Sequence, residues 1–210
     1  NAAIAQDPFD KKTIYFGSQF LHKSTNKGAG WKIISPDLTT NDSLKIDQTN
    51  NGGLSIDITG AENHCTIICI APSAVQKDLI YVGTDDGKVQ VTTNGGANWT
   101  DLTANIIGLP KGAWIPQIRT SSYNANEVFV VANNYRQGDF APYIFRSLDG
   151  GKTWTNMVDT KKVNGYALTV LQDPVEPNLI FVGTEQGFYV SLDNGVSYQQ
   201  WKNGYPSVST

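Results

Sequence analysis

Two regularities in the sequence predict an all-β fold, a β-propeller with four four-stranded antiparallel blades. An eight-residue pattern occurs four times: Ser or Thr, any residue, Asp or Asn, any residue, Gly, two further residues, and an aromatic residue. Short apolar stretches of strand length precede each copy in the same order. A repeated unit of four short strands is typical of a propeller blade.

The four copies of this octapeptide predict four similar turns. Their pattern residues are Ser24, Asn26, Gly28 and Trp31, then Thr92, Asn94, Gly96 and Trp99, then Ser147, Asp149, Gly151 and Trp154, and last Ser191, Asp193, Gly195 and Tyr198. The Asp or Asn side chain can bond backbone N–H groups two residues on, and Gly supplies a conformation that a Cβ would penalise. The hydroxyl can bond within the turn, and the aromatic side chain can fill the space between neighbouring sheets. The pattern therefore indicates structural turns that need no substrate.

The stretches before each octapeptide predict the other strands of a blade. An apolar stretch that often ends in Gly-Ser or Gly-Thr lies at residues 14–18, 80–84, 128–131 and 180–184. Another stretch, usually closed by a Pro turn, precedes it at residues 2–7, 66–71, 114–120 and 167–173. Each unit thus has strand A, a turn, strand B, a hairpin, strand C, the octapeptide and strand D.

This order predicts that residues 1–210 form one partial propeller. The predicted blades are 1–38, 64–105, 106–160 and 161–203, with an inserted polar loop at 39–63. A second insertion, at 133–142, enlarges the B–C hairpin of blade three. Successive octapeptides start 68, 55 and 44 residues apart, so the longer units must hold their extra length in loops.

Composition and charge exclude several classes of function. Hydrophobic residues make up 40% of the chain and charged residues only 17%, and 20 residues are Gly, which suits short strands and tight turns. A net charge of −3 without a long basic run argues against nucleic-acid binding. No apolar stretch approaches the roughly 20 residues that cross a bilayer. No cofactor or metal site is indicated.

The two cysteines lie close together in the sequence. If residues 64–70 form a strand, Cys65 and Cys69 share one face about 13 Å apart. That separation is too long for a disulfide, which needs Cα atoms within about 7 Å. We interpret the two residues as buried apolar thiols rather than metal ligands.

The octapeptides resemble the Asp boxes, or bacterial neuraminidase repeats, of sialidases, xyloglucanases and sortilins. The chain is most similar to secreted bacterial proteins with sortilin-like propellers, often labelled glycosyl hydrolases, and the similarity extends to residues 7–10, 35–39, 83–87 and 183–187. The resemblance implies a bacterial protein that is secreted, periplasmic or on the cell surface. It also implies a ring of more than four blades. We therefore expect further blades, of the same protein or of a partner chain, to cover outer faces that Trp31 and Tyr198 help to fill.

Strand alternation places the loops on two rims. A–B turns and octapeptides share one rim, and B–C hairpins and D–A connections share the other, at the channel mouth, where the resemblance implies that ligands bind. The candidate ligand-binding residues there are Asp85, Asp86, Trp114, Tyr135, Arg136, Asp139 and Glu185. Each also has a structural interpretation. The acids in Asp-Asp-Gly and Glu-Gln-Gly can simply form turns, Arg136 and Asp139 can form a surface ion pair, and Trp114 can be a packing residue.

The other residues that could carry chemistry point to no specific enzyme. The chain has three arginines, Arg119, Arg136 and Arg146, and Arg146 precedes an octapeptide on the opposite rim, which argues against sialidase activity. Nothing around His22 or His64 suggests a catalytic triad or a zinc site. Two hypotheses follow. The favoured one is a binding or scaffold module for a protein, peptide or glycan. The alternative is part of a xyloglucanase-like glycoside hydrolase whose cleft other blades complete.

Overall fold

The computed structural model describes residues 3–46, 64–204 and 208–210. They form four four-stranded antiparallel sheets, and within each sheet the strands are ordered as in the chain. The predicted all-β fold with four four-stranded blades is therefore confirmed. Strands A to D of blade one are β1 (Ile4–Gln6), β2 (Ile14–Gly17), β3 (Leu21–Ser24) and β4 (Lys32–Ile33). Those of blade two are β5 (Ile67–Pro72), β6 (Ile80–Thr84), β7 (Val89–Thr92) and β8 (Thr100–Asp101).

The third and fourth sheets follow the same order. Blade three consists of β9 (Trp114–Thr120), β10 (Val128–Asn134), β11 (Asp139–Ser147) and β12 (Thr155–Asn156). Blade four consists of β13 (Ala167–Gln172), β14 (Ile180–Thr184), β15 (Gly187–Ser191) and β16 (Gln199–Gln200). One helical turn, α1 (Ser43–Ile46), follows blade one, and two 3-10 turns lie at Thr103–Asn105 and Tyr135–Gln137. Residues 39–46 of the predicted inserted loop are described, and the rest of it lies outside the described residues.

Strand B of each blade alternates its side chains between the two neighbouring sheets. In blade two, Ile80 and Val82 pack in the core shared with blade one, and Tyr81 packs in the core shared with blade three. The same alternation places Phe129 of blade three toward blade four. Three apolar cores thus lie between consecutive blades, and the residues Tyr15, Tyr81, Phe129 and Phe181 occupy the same position in successive blades.

The glycine near the end of strand B allows strand A of the next blade to approach closely. A Cβ on Gly17 would lie 2.9 Å from Cβ of Ile67, and a Cβ on Gly83 would lie 2.5 Å from Cγ2 of Ile115. Ile67 and Ile115 belong to the A strands of blades two and three. The repeated Gly-Ser or Gly-Thr ending is therefore explained by packing between blades, because a side chain at this position would push the blades apart.

All four octapeptides share one set of hydrogen bonds. The hydroxyl donates to Oδ1 of the Asp or Asn at 2.8–3.0 Å and accepts from the Gly N–H at 2.8–2.9 Å. The Asp or Asn Oδ1 also accepts the backbone N–H four residues on, at 2.8–2.9 Å, rather than the expected N–H two residues on. The pattern Gly has φ between 87° and 98° in every copy, which a side chain would strain.

The octapeptide aromatics pack against the preceding blade. Trp99 packs in the core between blades one and two and donates its Nε1–H to the carbonyl of Ile34 at 3.0 Å. Trp154 packs in the core between blades two and three, and Tyr198 packs in the core between blades three and four. The expectation that Tyr198 lies on an outer face was wrong, because this position faces back along the chain. Trp31, which has no preceding blade in the described chain, is 46% exposed.

The two end blades leave apolar faces uncovered. On blade one, Phe16, His22 and Trp31 line a depression of about 370 Å³. On blade four, Leu171, Phe181 and Phe188 are among the residues that line one of about 290 Å³. Both depressions lie where a neighbouring blade would pack.

Thr210 lies at the start of the next strand position beyond blade four. Its N–H donates to the carbonyl of Thr184 at 2.9 Å. In blade one the residue equivalent to Thr184 is Ser18, and its carbonyl accepts from Ile67, the first residue of strand A of blade two, at 2.8 Å. Thr210 thus makes the same hydrogen bond to blade four that Ile67 makes to blade one.

The cysteines differ from the expected arrangement. Cys65 precedes strand β5 and has φ of 62°, so the two thiols do not share one face of a strand. Both are free thiols. Cys69 donates to the carbonyl of Ile115 at 3.2 Å, and burial raises its pKa to about 12.

Within the described residues, no group of three or more His, Cys, Asp or Glu could hold a metal, and no helix could span a membrane.

Candidate ligand-binding rim

The B–C hairpins of blades two to four and the D–A connections before them form a continuous edge, here called the hairpin rim. A Cβ on Gly87, in the hairpin of blade two, would lie 3.0 Å from Cα of Gly112, in the connection to blade three. Gln137, in the hairpin of blade three, donates its Nε2–H to the carbonyl of Lys111 at 3.3 Å. A Cβ on Gly165 would lie 2.9 Å from Cγ of Glu185, which joins the connection to blade four with the hairpin of that blade.

Asp86 ties the hairpin of blade two to the connection that leaves blade one. Its Oδ2 accepts both the N–H and the hydroxyl of Thr40 at 2.7 Å, and its Oδ1 accepts the hydroxyl of Thr84. Burial alone would raise the pKa of Asp86, but the hydrogen bonds from Thr84 and Thr40 outweigh it and lower the pKa. Its carboxylate therefore has a structural role that explains the Asp-Asp-Gly sequence.

Asp85 is also buried but has a different environment. Its Oδ1 accepts the N–H of Thr66 at 2.8 Å, and its Oδ2 lies 3.6 Å from Nδ1 of His64. Burial raises the pKa of Asp85, while the Thr66 hydrogen bond and His64 act in the opposite direction. Adjacent acids thus have pKa values shifted in opposite directions.

Arg136 and Trp114 stack on each other. The guanidinium carbon lies 3.3 Å from the centroid of the Trp114 ring and 5.4 Å from that of Tyr135. The expected ion pair between Arg136 and Asp139 was wrong. Asp139 instead accepts hydrogen bonds from Asn134 Nδ2 at 3.2 Å, from Tyr143 Oη at 2.8 Å and from a backbone N–H within its own hairpin. Burial would raise the pKa of Asp139, and these hydrogen bonds lower it overall.

An aromatic cluster joins the hairpin of blade three to the connection before blade four. Tyr135 and Tyr166 stack with their ring centroids 4.8 Å apart and their planes 24° apart. Phe140, which is 56% exposed, lies 6.3 Å from Tyr166. Desolvation and the nearby charge of Glu185 raise the pKa of Tyr166. The cluster presents apolar ring surface beside a carboxylate and hydroxyl groups.

Glu185 lies at the far end of the hairpin rim. Its backbone N–H donates to the carbonyl of Tyr166 at 3.2 Å, and its Oε1 accepts from Gln186 Nε2 at 3.0 Å. Its side chain is half-buried. The structure therefore places Trp114, Tyr135, Arg136 and Glu185 along one edge, whereas Asp139 is committed to its own hairpin.

Sequence reasoning missed Tyr166, Phe140 and the proximity of His64 to Asp85. Tyr166 and His64 both lie in D–A connections, the same class of loop as the residues before Trp114, and this position was the signal that could have identified them. Phe140 lies in the predicted insertion of blade three, at residues 133–142.

The remaining arginines lie elsewhere. Arg146 is on the opposite side of blade three, where Nε donates to Glu127 Oε1 at 2.8 Å and Nη1 donates to the carbonyl of Asn194 at 3.3 Å. Arg119 lines the depression on the outer face of blade four. The three arginines therefore do not converge on one ligand position.

Similar solved structures are β-propellers, and the likeness shows the fold. An ancestral GH74 enzyme has a TM-score of 0.67 at 20% identity, with 94% of this chain and 23% of that chain covered. The GH74 xyloglucanase of Xanthomonas campestris has a TM-score of 0.66 at 15% identity, with 98% and 30% covered. The extracellular domain of a hybrid two-component system from B. thetaiotaomicron has a TM-score of 0.60 at 15% identity, with 98% and 25% covered. The chain spans about a quarter of the length of these proteins. No family model matches the chain, and no curated protein matches it in sequence.

Proposed function

We propose that this chain is a segment of a larger Asp-box propeller that binds a glycan at the hairpin rim. The observation that carries the proposal is the continuous row formed by Trp114, Arg136, Tyr135 and Tyr166 across blades three and four. Ring faces next to hydrogen-bonding groups suit a sugar, which has both apolar C–H faces and hydroxyl groups.

The proposed ring is larger than four blades. Outward-facing Phe181 and Trp31 lack the neighbours that cover their counterparts in the other described blades. Thr210 takes the place toward blade four that Ile67 takes toward blade one, so we place strand A of a fifth blade there. Such blades belong to the same protein or to a partner chain. The Asp-box resemblance further supports a bacterial protein that is secreted, periplasmic or on the cell surface.

The test measures binding of a panel of plant and bacterial polysaccharides to the full-length protein. Tyr166→Ala should weaken binding about 2- to 10-fold, since one aromatic contact contributes on that scale. Phe9→Ala is the control, because Phe9 is an exposed aromatic residue in the A–B turn of blade one, on the opposite rim. Equal effects of the two variants, or retention of a peptide or protein but no polysaccharide, would contradict glycan binding at the rim.

Glycoside hydrolysis is the second candidate, and the buried carboxyl group of Asp85 favours it. A glycosidase needs one carboxylic acid with a raised pKa and one that stays ionised. Burial raises the pKa of Asp85, as a general acid requires. Asp86 is held by Thr40 and Thr84, so Glu185 or a carboxylate of another blade would be the ionised partner. Asp85→Asn keeps the oxygen that accepts from Thr66 but cannot transfer a proton, so it should abolish hydrolysis without unfolding. Full activity in Asp85→Asn and in Glu185→Gln would reject a catalytic role for the hairpin rim.

A further inference from the structure

Arg136 is an oriented cation whose hydrogen-bond donors remain available. Its guanidinium carbon lies 3.3 Å from the centroid of the Trp114 ring and 5.4 Å from that of the Tyr135 ring. Within the described residues, no carboxylate lies in ion-pair distance of Arg136, and its side chain makes no hydrogen bond there. The side chain is exposed at the hairpin rim.

The contrast with Arg146 shows that this arrangement differs from a structural arginine. Arg146 also lies over an aromatic ring, that of Phe129 at 5.5 Å, but its donors are taken by Glu127 and by the carbonyl of Asn194. Asp139 is three residues from Arg136, yet it accepts three hydrogen bonds from its own hairpin instead. The acid nearest in the sequence is therefore occupied, and stacking on Trp114 holds the guanidinium in place without it.

Two lysines lie near this part of the rim, and the nearby carboxylates of Asp86 and Asp139 are occupied by hydrogen bonds. Nζ of Lys45 lies 3.8 Å from the position that a Cβ on Gly112 would take, two residues from Trp114. Lys111 is exposed beside Gly112, and its carbonyl anchors Gln137 of the Arg136 turn. Glu185 lies beyond Tyr166, on the far side of the aromatic cluster.

We propose that Arg136 binds the carboxylate of an acidic sugar, so that the glycan is a uronic-acid polysaccharide. A guanidinium presents parallel N–H donors that match both oxygens of a carboxylate. The aromatic cluster of Tyr135, Tyr166 and Phe140 lies next to it and can take the face of the same or the adjoining pyranose ring. This inference rests on the proposed glycan-binding function and names the class of glycan.

The test compares one ligand in two forms. Titration calorimetry measures binding of an oligogalacturonate and of the same oligosaccharide after its carboxyl groups are reduced to alcohols, with the full-length protein. The acidic form should bind about 10- to 100-fold more tightly, the scale of a charged hydrogen-bonded contact. Arg136→Gln should remove this preference, and Arg136→Lys should keep only part of it, since an ammonium is not bidentate. Arg119→Gln removes the same charge away from the rim and should leave the preference unchanged.

The outcomes separate this inference from the proposed function. If both forms bind equally and Arg136→Gln changes neither, the rim binds a neutral glycan and the inference is wrong while the proposed function stands. If neither these nor other polysaccharides bind, both are wrong. Tighter binding of a peptide through its terminal carboxylate, lost in Arg136→Gln, would overturn the sugar assignment. Thermal unfolding of each variant checks that the fold is intact.

Discussion

The loss of stability on truncating Phe181 tests whether a further blade covers blade four. Phe129 and Phe181 occupy the same position in strand B of consecutive blades, and each points toward the blade that follows. Phe129 is 1% exposed in the core between blades three and four. Phe181 is half-buried and stacks on Phe188 with a centroid distance of 5.6 Å. The same Phe-to-Ala substitution can therefore be compared at Phe129, which a following blade covers, and at Phe181, which no described blade covers.

The expected cost follows from burial. Truncation of a fully buried Phe to Ala costs about 3–5 kcal/mol, so Phe129→Ala should lose that much stability. In the chain described here, Phe181→Ala removes only part of a buried ring and should cost about 1 kcal/mol. In the full-length protein, a fifth blade would cover Phe181, and the two substitutions should then cost similar amounts, about 3–5 kcal/mol each.

Urea denaturation of the full-length protein measures these differences as shifts of the midpoint at unchanged slope. Phe9→Ala, in an exposed turn, should change stability by less than about 0.5 kcal/mol and serves as the control. A cost near 1 kcal/mol for Phe181→Ala, beside the full cost for Phe129→Ala, would refute the covering blade and with it the larger ring.

Three further substitutions test the scaffold. Arg146→Met strands the buried carboxylate of Glu127 and should cost about 3–5 kcal/mol in urea denaturation, and adding Glu127→Gln should recover part of the loss. Hydrogen bonds from Thr153 lower the pKa of Asp149 from 3.8 to about 2. The ionised carboxylate therefore stabilises the fold above about pH 4, and this stabilisation is lost as the pH falls through 2. Asp149→Asn should therefore flatten the loss of stability between these pH values, and an unchanged acid profile would contradict the assignment. Gly83→Ala should cost about 1–3 kcal/mol by overpacking, and a neutral result would mean that the blades can separate freely.

The fold could be predicted because its determinants are local and repeated. The side-chain hydrogen bonds made by the hydroxyl and by the Asp or Asn of an octapeptide join residues no more than four positions apart, so these bonds depend only on local sequence. Strand B could be located for a similar reason, and β14 (Ile180–Thr184) begins and ends at the predicted residues. Because the octapeptide occurs four times in the same position relative to the strands, the four copies together predict the order of the strands in each blade more strongly than one copy could.

The side of the sheet that each residue faces could not be derived in the same way. A strand period of two separates two sets of residues but does not say which set faces the preceding blade. Tyr198 was therefore assigned to an outer face, although the equivalent Trp99 and Trp154 pack backward against the preceding blade. Only the position of the neighbouring sheet resolves this ambiguity.

The candidate site was predictable in outline and not in its contacts. Strand alternation placed Trp114, Arg136 and Glu185 on one rim. It did not show that Arg136 lies on Trp114 rather than beside Asp139, because the two partners are separated by 22 positions and meet only through the packing of two loops. Tyr166 was missed for the same reason, since its partner Tyr135 belongs to another blade.

The difference between the blades supports the proposed ligand site on blade three. In blades two and four, strand C begins within five residues of the end of strand B, and both strands of the hairpin are short. In blade three, β10 and β11 extend further, and a 3-10 turn at Tyr135–Gln137 joins them, so the hairpin carries aromatic side chains to the connection before blade four. A structural requirement would apply to every blade, because the turns and cores repeat. The extended hairpin does not repeat, and its exposed ring surface and unpaired guanidinium add nothing that the other blades need for folding. Its chemistry is therefore better explained by a ligand than by the stability of the ring.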